Sequence, residues 1–235
     1  MSAVGYLHSV NTLSTLDGPG MRFVAFLQGC PLHCIYCQNI DAQPSQGGEK
    51  ITAEQLAARI GRVAGFVQGV TFSGGECLCQ ADFVREVFER IKPLGLSCCI
   101  DTSGCLLGDA VLRLLPLCDT VLLDIKFYTD EEYRRYTGTS LHTVLDFLAA
   151  LQRLGVPTVI RSVILGGLND TAQHMHALRA LAAPFSVVQR IELLPFSKLC
   201  ADKYKALALP FAAEGYTTPD AERMRFLQQT VEADR

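Results

Sequence analysis

Residues 70–104 read VTFSGGECLCQADFVREVFERIKPLGLSCCIDTSG, and this stretch decides the fold. A short apolar run, Val70–Ser73, ends in a glycine pair. An amphipathic segment follows over Gln80–Lys92, and Gly95 stops it before a second apolar run, Leu96–Asp101. Short runs bounded by glycine suit strands; the longer segment, apolar at spacings of three and four, suits a helix. Strand, helix, strand over this length is a βαβ unit, so the two strands lie parallel in one sheet.

The alternation continues in both directions. Candidate strands are Arg22–Leu27, Val121–Ile125, Thr158–Ile164 and Arg190–Leu194. Helical patterns cover Thr52–Ala64, Asp109–Leu115, Ser140–Leu154, Ala172–Leu181 and a last segment from Pro219 to Val231. Thr52 and Gln55 have the spacing of a capping box, and Gly155 stands where the long helix should stop. Six such units are too few for a closed eight-unit barrel, which takes about 250 residues. The expected fold class is therefore α/β, a partial (β/α)6 open barrel forming one domain over 1–235. The loop Asp41–Lys50, rich in Gln, Gly and Ser, is expected to be the most mobile stretch.

Hydrophobic residues make up 49% and charged ones 19%, which excludes intrinsic disorder. Arg113, Asp119 and Asp124 interrupt the richest apolar stretch, Leu106–Ile125, so no membrane span is expected. A net charge of −3 without a long basic run argues against a nucleic-acid partner. The N-terminus has no secretory pattern, and a cytoplasmic protein is expected. Ten cysteines in such a chain read as metal ligands, catalytic groups or buried thiols rather than disulfides. Cys98, Cys99 and Cys118 lie in apolar segments and read as small buried hydrophobes.

Cys30, Cys34 and Cys37 form a CxxxCxxC array directly after the first candidate strand. Three thiolates in one loop can hold three irons of a cubane cluster and leave the fourth open to a ligand. Other readings are a zinc site completed by His33 or a distant cysteine, a redox thiol pair, or packing cysteines; a non-catalytic zinc- or thiol-binding module is thus the rival from a different class. No second cysteine pair of the usual zinc spacing is present. Tyr36 precedes the third cysteine, where a flat ring can lie against a base.

Polar residues gather at the ends of the candidate strands, where an open barrel presents its site. Gly74 and Gly75 allow close approach of backbone carbonyls, and Glu76 can accept from an ammonium. Asp101 and Thr102 end the third strand. Period-two alternation puts Asp124 and Lys126 on one side of the fourth. Arg161, within an apolar strand, needs an anionic partner such as a ligand carboxylate.

The cysteine array with its aromatic residue, followed by Gly74-Gly75-Glu76, resembles the hallmark of the radical S-adenosylmethionine (radical SAM) superfamily. The likeness to one family, the pyruvate formate-lyase activating enzymes, runs from Leu7-His8-Ser9 to Lys203-Tyr204. It includes Asp17-Gly18-Pro19-Gly20-Met21-Arg22, Gln28-Gly29-Cys30 and Ile191-Glu192-Leu193-Leu194-Pro195. The resemblance implies a [4Fe–4S] cluster on the three cysteines and S-adenosylmethionine on its open iron. It also implies a 5′-deoxyadenosyl radical that takes a hydrogen atom from a glycine of pyruvate formate-lyase or a related glycyl-radical enzyme. Flavodoxin or ferredoxin would be the electron donor. By the same resemblance Tyr36, Gln38, Gly74, Gly75, Glu76, Asp124, Lys126 and Arg161 meet the cofactor. Asp101, Thr102 and Asp124 would hold a monovalent cation, and Asp17 would meet the peptide. Without cysteines from Gln38 to Ser73, the chain is similar to the short, single-cluster type. It departs from the family at Ser197 and Gln38, where histidines are usual. A relative acting on a small molecule is the nearest alternative.

Overall fold

β-Branched and aliphatic residues concentrate in eight strands: β1 Val4–Ser14, β2 Arg22–Leu27, β3 Glu49–Thr52, β4 Gly69–Gly74, β5 Ser97–Thr102, β6 Thr120–Asp124, β7 Thr158–Ile164 and β8 Val188–Pro195. The protein is represented by a computed structural model that describes residues 2–233; Met1 and residues 234–235, the ends of the expected 1–235 unit, lie outside the described residues. The helices are α1 Ala53–Gly61, α2 Ala81–Ile91, α3 Asp109–Leu114, α4 Asp130–Thr137, α5 Leu141–Leu154, α6 Ala172–Ala182, α7 Ala201–Ala206 and α8 Ala221–Glu232. All strands join one sheet in the order β3-β1-β2-β4-β5-β6-β7-β8. β2 and β4 to β8 run parallel, whereas β1 and β3 add antiparallel strands at one edge. The result is a mixed, unclosed sheet containing the expected six-stranded parallel part.

Sequence reading misses β1 and β3 for physical reasons. β1 exposes Val4, Tyr6 and Leu13 on its outer face, so its apolar residues do not mark the buried side. β3 has four residues and buries only Ile51. The end of the Asp41–Lys50 segment, Glu49 and Lys50, enters this strand, and the Gln28 side-chain amide donates to the Pro44 carbonyl at 2.8 Å. The helix α4 is also unexpected, because its sequence is mostly charged and buries only Tyr133 and Thr137.

Period-two alternation divides each central strand between two layers. Phe72 faces the helices, where its ring meets Phe83 and Phe88. Inside the barrel Cys99, Leu122 and Val159 form a small apolar cluster. Two residues further along their strands stand Asp101, Asp124 and Arg161. Parallel register sets Asp124, Arg161 and Glu192 side by side on β6, β7 and β8.

Arg22 anchors the opposite end of the barrel. It is 1% exposed and donates to Thr71, Ser97 and the carbonyls of Pro19, Val70 and Ser97, at 2.6–3.2 Å. These neutral acceptors replace a counterion, and Thr71 in turn donates to the Asp17 carbonyl at 2.6 Å. The loop between β1 and β2 is thereby folded inward beneath the parallel strands.

His174 on α6 supports the turn after β6. Its ring is buried against Phe127 and Tyr128, Nε2 has no hydrogen-bond partner, and burial lowers its pKa to about 4. A histidine with a depressed folded pKa stays neutral in the native state while the unfolded chain takes up a proton below about pH 6.5. Stability should therefore fall between pH 6.5 and 4 by an amount on the order of 3 kcal/mol. Urea denaturation across that window should show the slope, and His174→Phe should flatten it; an unchanged slope refutes the assignment.

Candidate active site

The C-terminal ends of the parallel strands surround a cavity of about 360 Å³. Cys30, Cys34, Tyr36, Cys37, Gln38 and Asn39 line one wall, Gly74 and Gly75 a second, and Asp101, Thr102, Asp124, Lys126 and Arg161 the charged floor. Asp17 reaches the same space from the β1–β2 loop.

The cysteine loop rests on the glycine turn. Gly75 and Glu76 donate from their backbone to the carbonyls of Leu27 and Gly29 at 2.8 Å, and Gly29 donates to Ala42 at 2.8 Å. A Cβ at Gly75 would lie 2.4 Å from the Gly29 oxygen and 2.8 Å from that of Ala42, so no side chain fits. Gly74 has φ 114° and backbone equally close. The far side of the loop is fastened to the end of α4, where His33 and Ile35 donate to the carbonyls of Thr137 and Tyr136 at 2.8 and 3.0 Å.

All three thiols are partly accessible and unpaired in disulfides. Burial pushes the Cys30 and Cys37 thiols up, and raises Cys34 to about 11 despite the opposing Lys126 charge. His33 is exposed and does not line the cavity, so it completes no zinc site with them. No group of three or more His, Cys, Asp or Glu among the described residues is drawn together tightly enough to hold a metal ion by itself. Three soft sulfur donors around an open cavity fit a multi-iron cluster with one uncommitted iron.

The floor alternates charge. Lys126 Nζ lies 2.6 Å from Asp124, and both flank a turn pinned by the Tyr133 hydroxyl, which donates to the Asp124 carbonyl and accepts from the Lys126 amide. Burial opposes the Lys126 charge most strongly of any single cause, but Asp124 together with Tyr36, Cys34 and Tyr133 outweighs it and holds the pKa well above the usual lysine range. Arg161 finds its anion in Asp101 at 3.5 Å, with Glu192 at 3.9 Å, and its Nε is buried without a hydrogen bond. Burial lifts Asp101 to about 6, with Asp124 and Asp17 adding while Arg161 and Ser73 oppose. The Tyr36 hydroxyl is likewise buried without a partner. An orphaned guanidinium nitrogen and an orphaned phenol beside one cavity fit a polar ligand with an anionic group.

Glu76 stands apart from the other residues singled out in the sequence. It is 1% exposed and does not line the cavity. One carboxylate oxygen accepts from Leu78 N and Thr102 Oγ1 at 3.1 and 2.6 Å; the other accepts from Ser103 N and Oγ at 2.9 and 2.5 Å. Its oxygens tie the end of β5 to the β4–α2 turn. Phe26 and Val163 line the cavity but were not singled out. The alternation that gave Lys126 from Asp124 also gives Val163 from Arg161. Asn39 was missed for want of any such signal; its amide donates to the Gly74 carbonyl at 3.3 Å.

Residues 24–180 match the model of the Radical SAM superfamily. The chain is 36% identical over 238 residues to the pyruvate formate-lyase 1-activating enzyme of Escherichia coli K12, covering 99% of this chain and 97% of that one. It is 36% identical over 230 residues to the pyruvate formate-lyase-activating enzyme of Clostridium pasteurianum, with 96% of each covered. Among solved structures, SuiB of Streptococcus suis bound to S-adenosylmethionine superposes with a TM-score of 0.68 at 15% identity, over 87% of this chain and 44% of that one. A domain of pyruvate-formate lyase-activating enzyme from Bacteroides vulgatus gives 0.57 at 20% identity, over 69% of this chain and 92% of that one. These two likenesses concern the fold.

Glu76→Gln should report the buried clamp. A carboxamide nitrogen cannot accept, so one donor pair loses its partner, at a cost of about 2–4 kcal/mol. Chemical denaturation of the purified variant measures the loss; a change below about 0.5 kcal/mol would show that the clamp is dispensable.

Proposed function

Because the chain belongs to the pyruvate formate-lyase-activating enzymes of the radical SAM superfamily, we propose that it acts on a backbone glycine of pyruvate formate-lyase. It is a radical SAM activase that uses a [4Fe–4S] cluster and S-adenosylmethionine, and its substrate partner is a glycyl-radical enzyme. The observation that carries the reading is 36% identity across 99% of the chain, joined to three accessible thiols facing an open, charged cavity.

Cys30, Cys34 and Cys37 would ligate three irons. When bound, the cluster and S-adenosylmethionine together supply a carbon-centred radical that takes a hydrogen atom. The chain's own residues position these groups. The Gly74 and Gly75 backbone would take the methionyl ammonium, and the Arg161 and Lys126 cations its carboxylate. Tyr36 and Gln38 would border the remainder of the cofactor. Asp101 and Asp124, with Thr102 beside them, offer carboxylates on adjacent strands to a monovalent cation; Arg161 and Lys126 already neutralise both, so that cation would share an ion pair. Asp17 would meet the peptide, held by the Ser14 hydroxyl at 2.5 Å.

Glycine suits hydrogen-atom removal because a Cα radical without a side chain can be planar and delocalised over both flanking amides. An unclosed barrel lets a peptide loop enter, and that loop must leave its own fold to do so. We place the protein in the cytoplasm, as one radical SAM domain over 1–235, with flavodoxin or ferredoxin as reductant and no nucleic-acid or membrane partner. No helix among the described residues is long and apolar enough to cross a membrane.

Anaerobic reconstitution should give about four irons and four sulfides per chain, and Ser at any of the three cysteines should abolish cofactor cleavage. Lys126→Ala and Arg161→Ala should each weaken S-adenosylmethionine binding roughly tenfold or more while iron content stays unchanged; parent-like affinity in both makes them structural ion-pair members. With pyruvate formate-lyase and dithionite, electron spin resonance should show a glycyl doublet, and deuterium on that glycine should appear in 5′-deoxyadenosine. Cofactor cleavage without either signal would leave a radical SAM enzyme but remove the activase.

A further inference from the structure

The carboxylate of Asp41 is a fixed charge beside the cysteine loop. It stands four residues after Cys37, in a segment whose backbone closes on that loop. Gly29 donates to the Ala42 carbonyl at 2.8 Å, Cys30 to that of Gln43 at 3.0 Å, and the Gln28 side chain to that of Asp41 at 3.3 Å. The Asp41 side chain is held from two distant parts of the chain. His8 Nε2 on β1 lies 3.2 Å from one carboxylate oxygen, and Lys203 Nζ on α7 lies 2.9 Å from the other. Burial works against the Asp41 charge, but Lys203, the Asp41 amide and His8 outweigh it and hold the carboxyl below its ordinary range.

The helix that delivers the lysine does little else. α7 has six residues and buries only Tyr204, which packs with Cys200 against Ile40, the neighbour of Asp41. The Phe211 ring lies 4.7 Å from that of Tyr204, and Gln38 donates to the Ser197 carbonyl at 2.8 Å, so the segment is anchored to the loop it covers. Lys203 does not line the cavity, and cofactor contact leaves its charge unexplained. On the Cys34 side, Lys126 and Asp124 form a similar pair at 2.6 Å. The cysteine loop is thus flanked by two carboxylates, each with its own lysine. Burial raises the Cys37 thiol most; of the charges acting on it, Lys126 and Lys203 lower it and Asp41 raises it. Charges that a thiolate feels are also felt by an electron added to the iron it holds, and cluster potentials follow local charge and exposure.

We propose that Lys203 neutralises Asp41 and thereby keeps the cluster reducible, as a positioning residue acting from outside the cavity. The inference rests on the cluster, not on the identity of the partner enzyme. The step concerned is the passage of one electron from a one-electron donor to the oxidised cluster; no bond forms or breaks in the protein, and no proton is needed. Without Lys203 the Asp41 charge would stand uncompensated beside Cys37, and the reduced cluster, with one more negative charge, would be disfavoured. The Lys203 and Asp41 side chains are 39% and 34% exposed, so water and salt weaken the effect without removing it.

The test is a mediated redox titration of the anaerobically reconstituted holoenzyme, followed by visible absorption and electron spin resonance, with iron content measured alongside. At a fixed applied potential, Lys203→Gln should move the one-electron equilibrium roughly threefold or more toward the oxidised cluster, about 28 mV in midpoint. Asp41→Asn, which leaves the lysine, should move it the other way, and Lys203→Arg should titrate like the parent. The double variant K203Q/D41N should return most of the way to the parent. The single-variant shifts should shrink between roughly 0.05 M and 0.5 M salt. A purely structural role would shift both single variants in one direction as the loop loosens. The proposal is overturned if both single variants titrate like the parent, if they shift in the same direction, or if the double variant keeps the full K203Q shift. Should Lys203→Gln lose its iron, the double variant decides: recovered iron with a parent-like midpoint supports the pair, and continued loss overturns it.

Discussion

The backbone of Gly75 lies directly against the carbonyls of Gly29 and Ala42, and the site is assembled around that contact. Because no Cβ separates them, the cysteine loop and the β4–α2 turn share one hydrogen-bond system, with Gly75 and Glu76 donating into the loop. The three thiols therefore inherit the position of the sheet. Flexible surface loops rarely hold several ligands in fixed relation; a loop hydrogen-bonded along its base to a buried strand end can. The same turn carries Glu76 inward, where its carboxylate gathers Thr102 and Ser103 and thus fixes the end of β5.

The charges on the floor follow a second constraint. Each buried charge needs a partner or its desolvation cost goes unmet. Asp124 with Lys126, and Asp101 with Arg161, meet that need within the protein. Pairing is incomplete by design of the register: Arg161 Nε and the Tyr36 hydroxyl remain without hydrogen bonds. Those two atoms, one on the cysteine wall and one on the floor, are the polar capacity left for a bound molecule. Arg22 shows the other solution to the same problem. It saturates its guanidinium with hydroxyl and carbonyl oxygens, keeps no capacity for a ligand, and serves only to hold the inward loop that presents Asp17.

Local pattern accounts for what could be read from sequence. Five of the six parallel strands were legible as short, largely buried runs, and β8, with only three buried residues, was legible from its aliphatic residues. The cavity residues were legible because strand ends carried polar side chains at period two. The capping box at Thr52 was found with both of its hydrogen bonds. What escaped was set by distance along the chain. Arg161 demanded an anion, yet only the fold brings Asp101 to it across β5 to β7. The hydrogen bonds that Glu76 accepts from Thr102 and Ser103 escaped likewise, because its own segment is silent about residues more than twenty positions on. β1, β3, α4 and α7 are short, polar or exposed, so tertiary contacts rather than periodicity define them.

The elements that escaped also enclose the cysteine loop. α4 supplies the carbonyls of Tyr136 and Thr137 that fasten it, α7 supplies Lys203 and Tyr204, and β3 continues from its far end. Such pieces bury little apolar surface of their own, so nothing in their sequences needs to advertise helix or strand strongly. They exist because the loop they cover presents backbone groups that require partners, and their composition is free to serve other ends. On α4 that freedom is spent on charge. Around α7 it leaves Leu199, Leu207 and Leu209 facing outward, which the contacts of Lys203 and Tyr204 with the loop do not require.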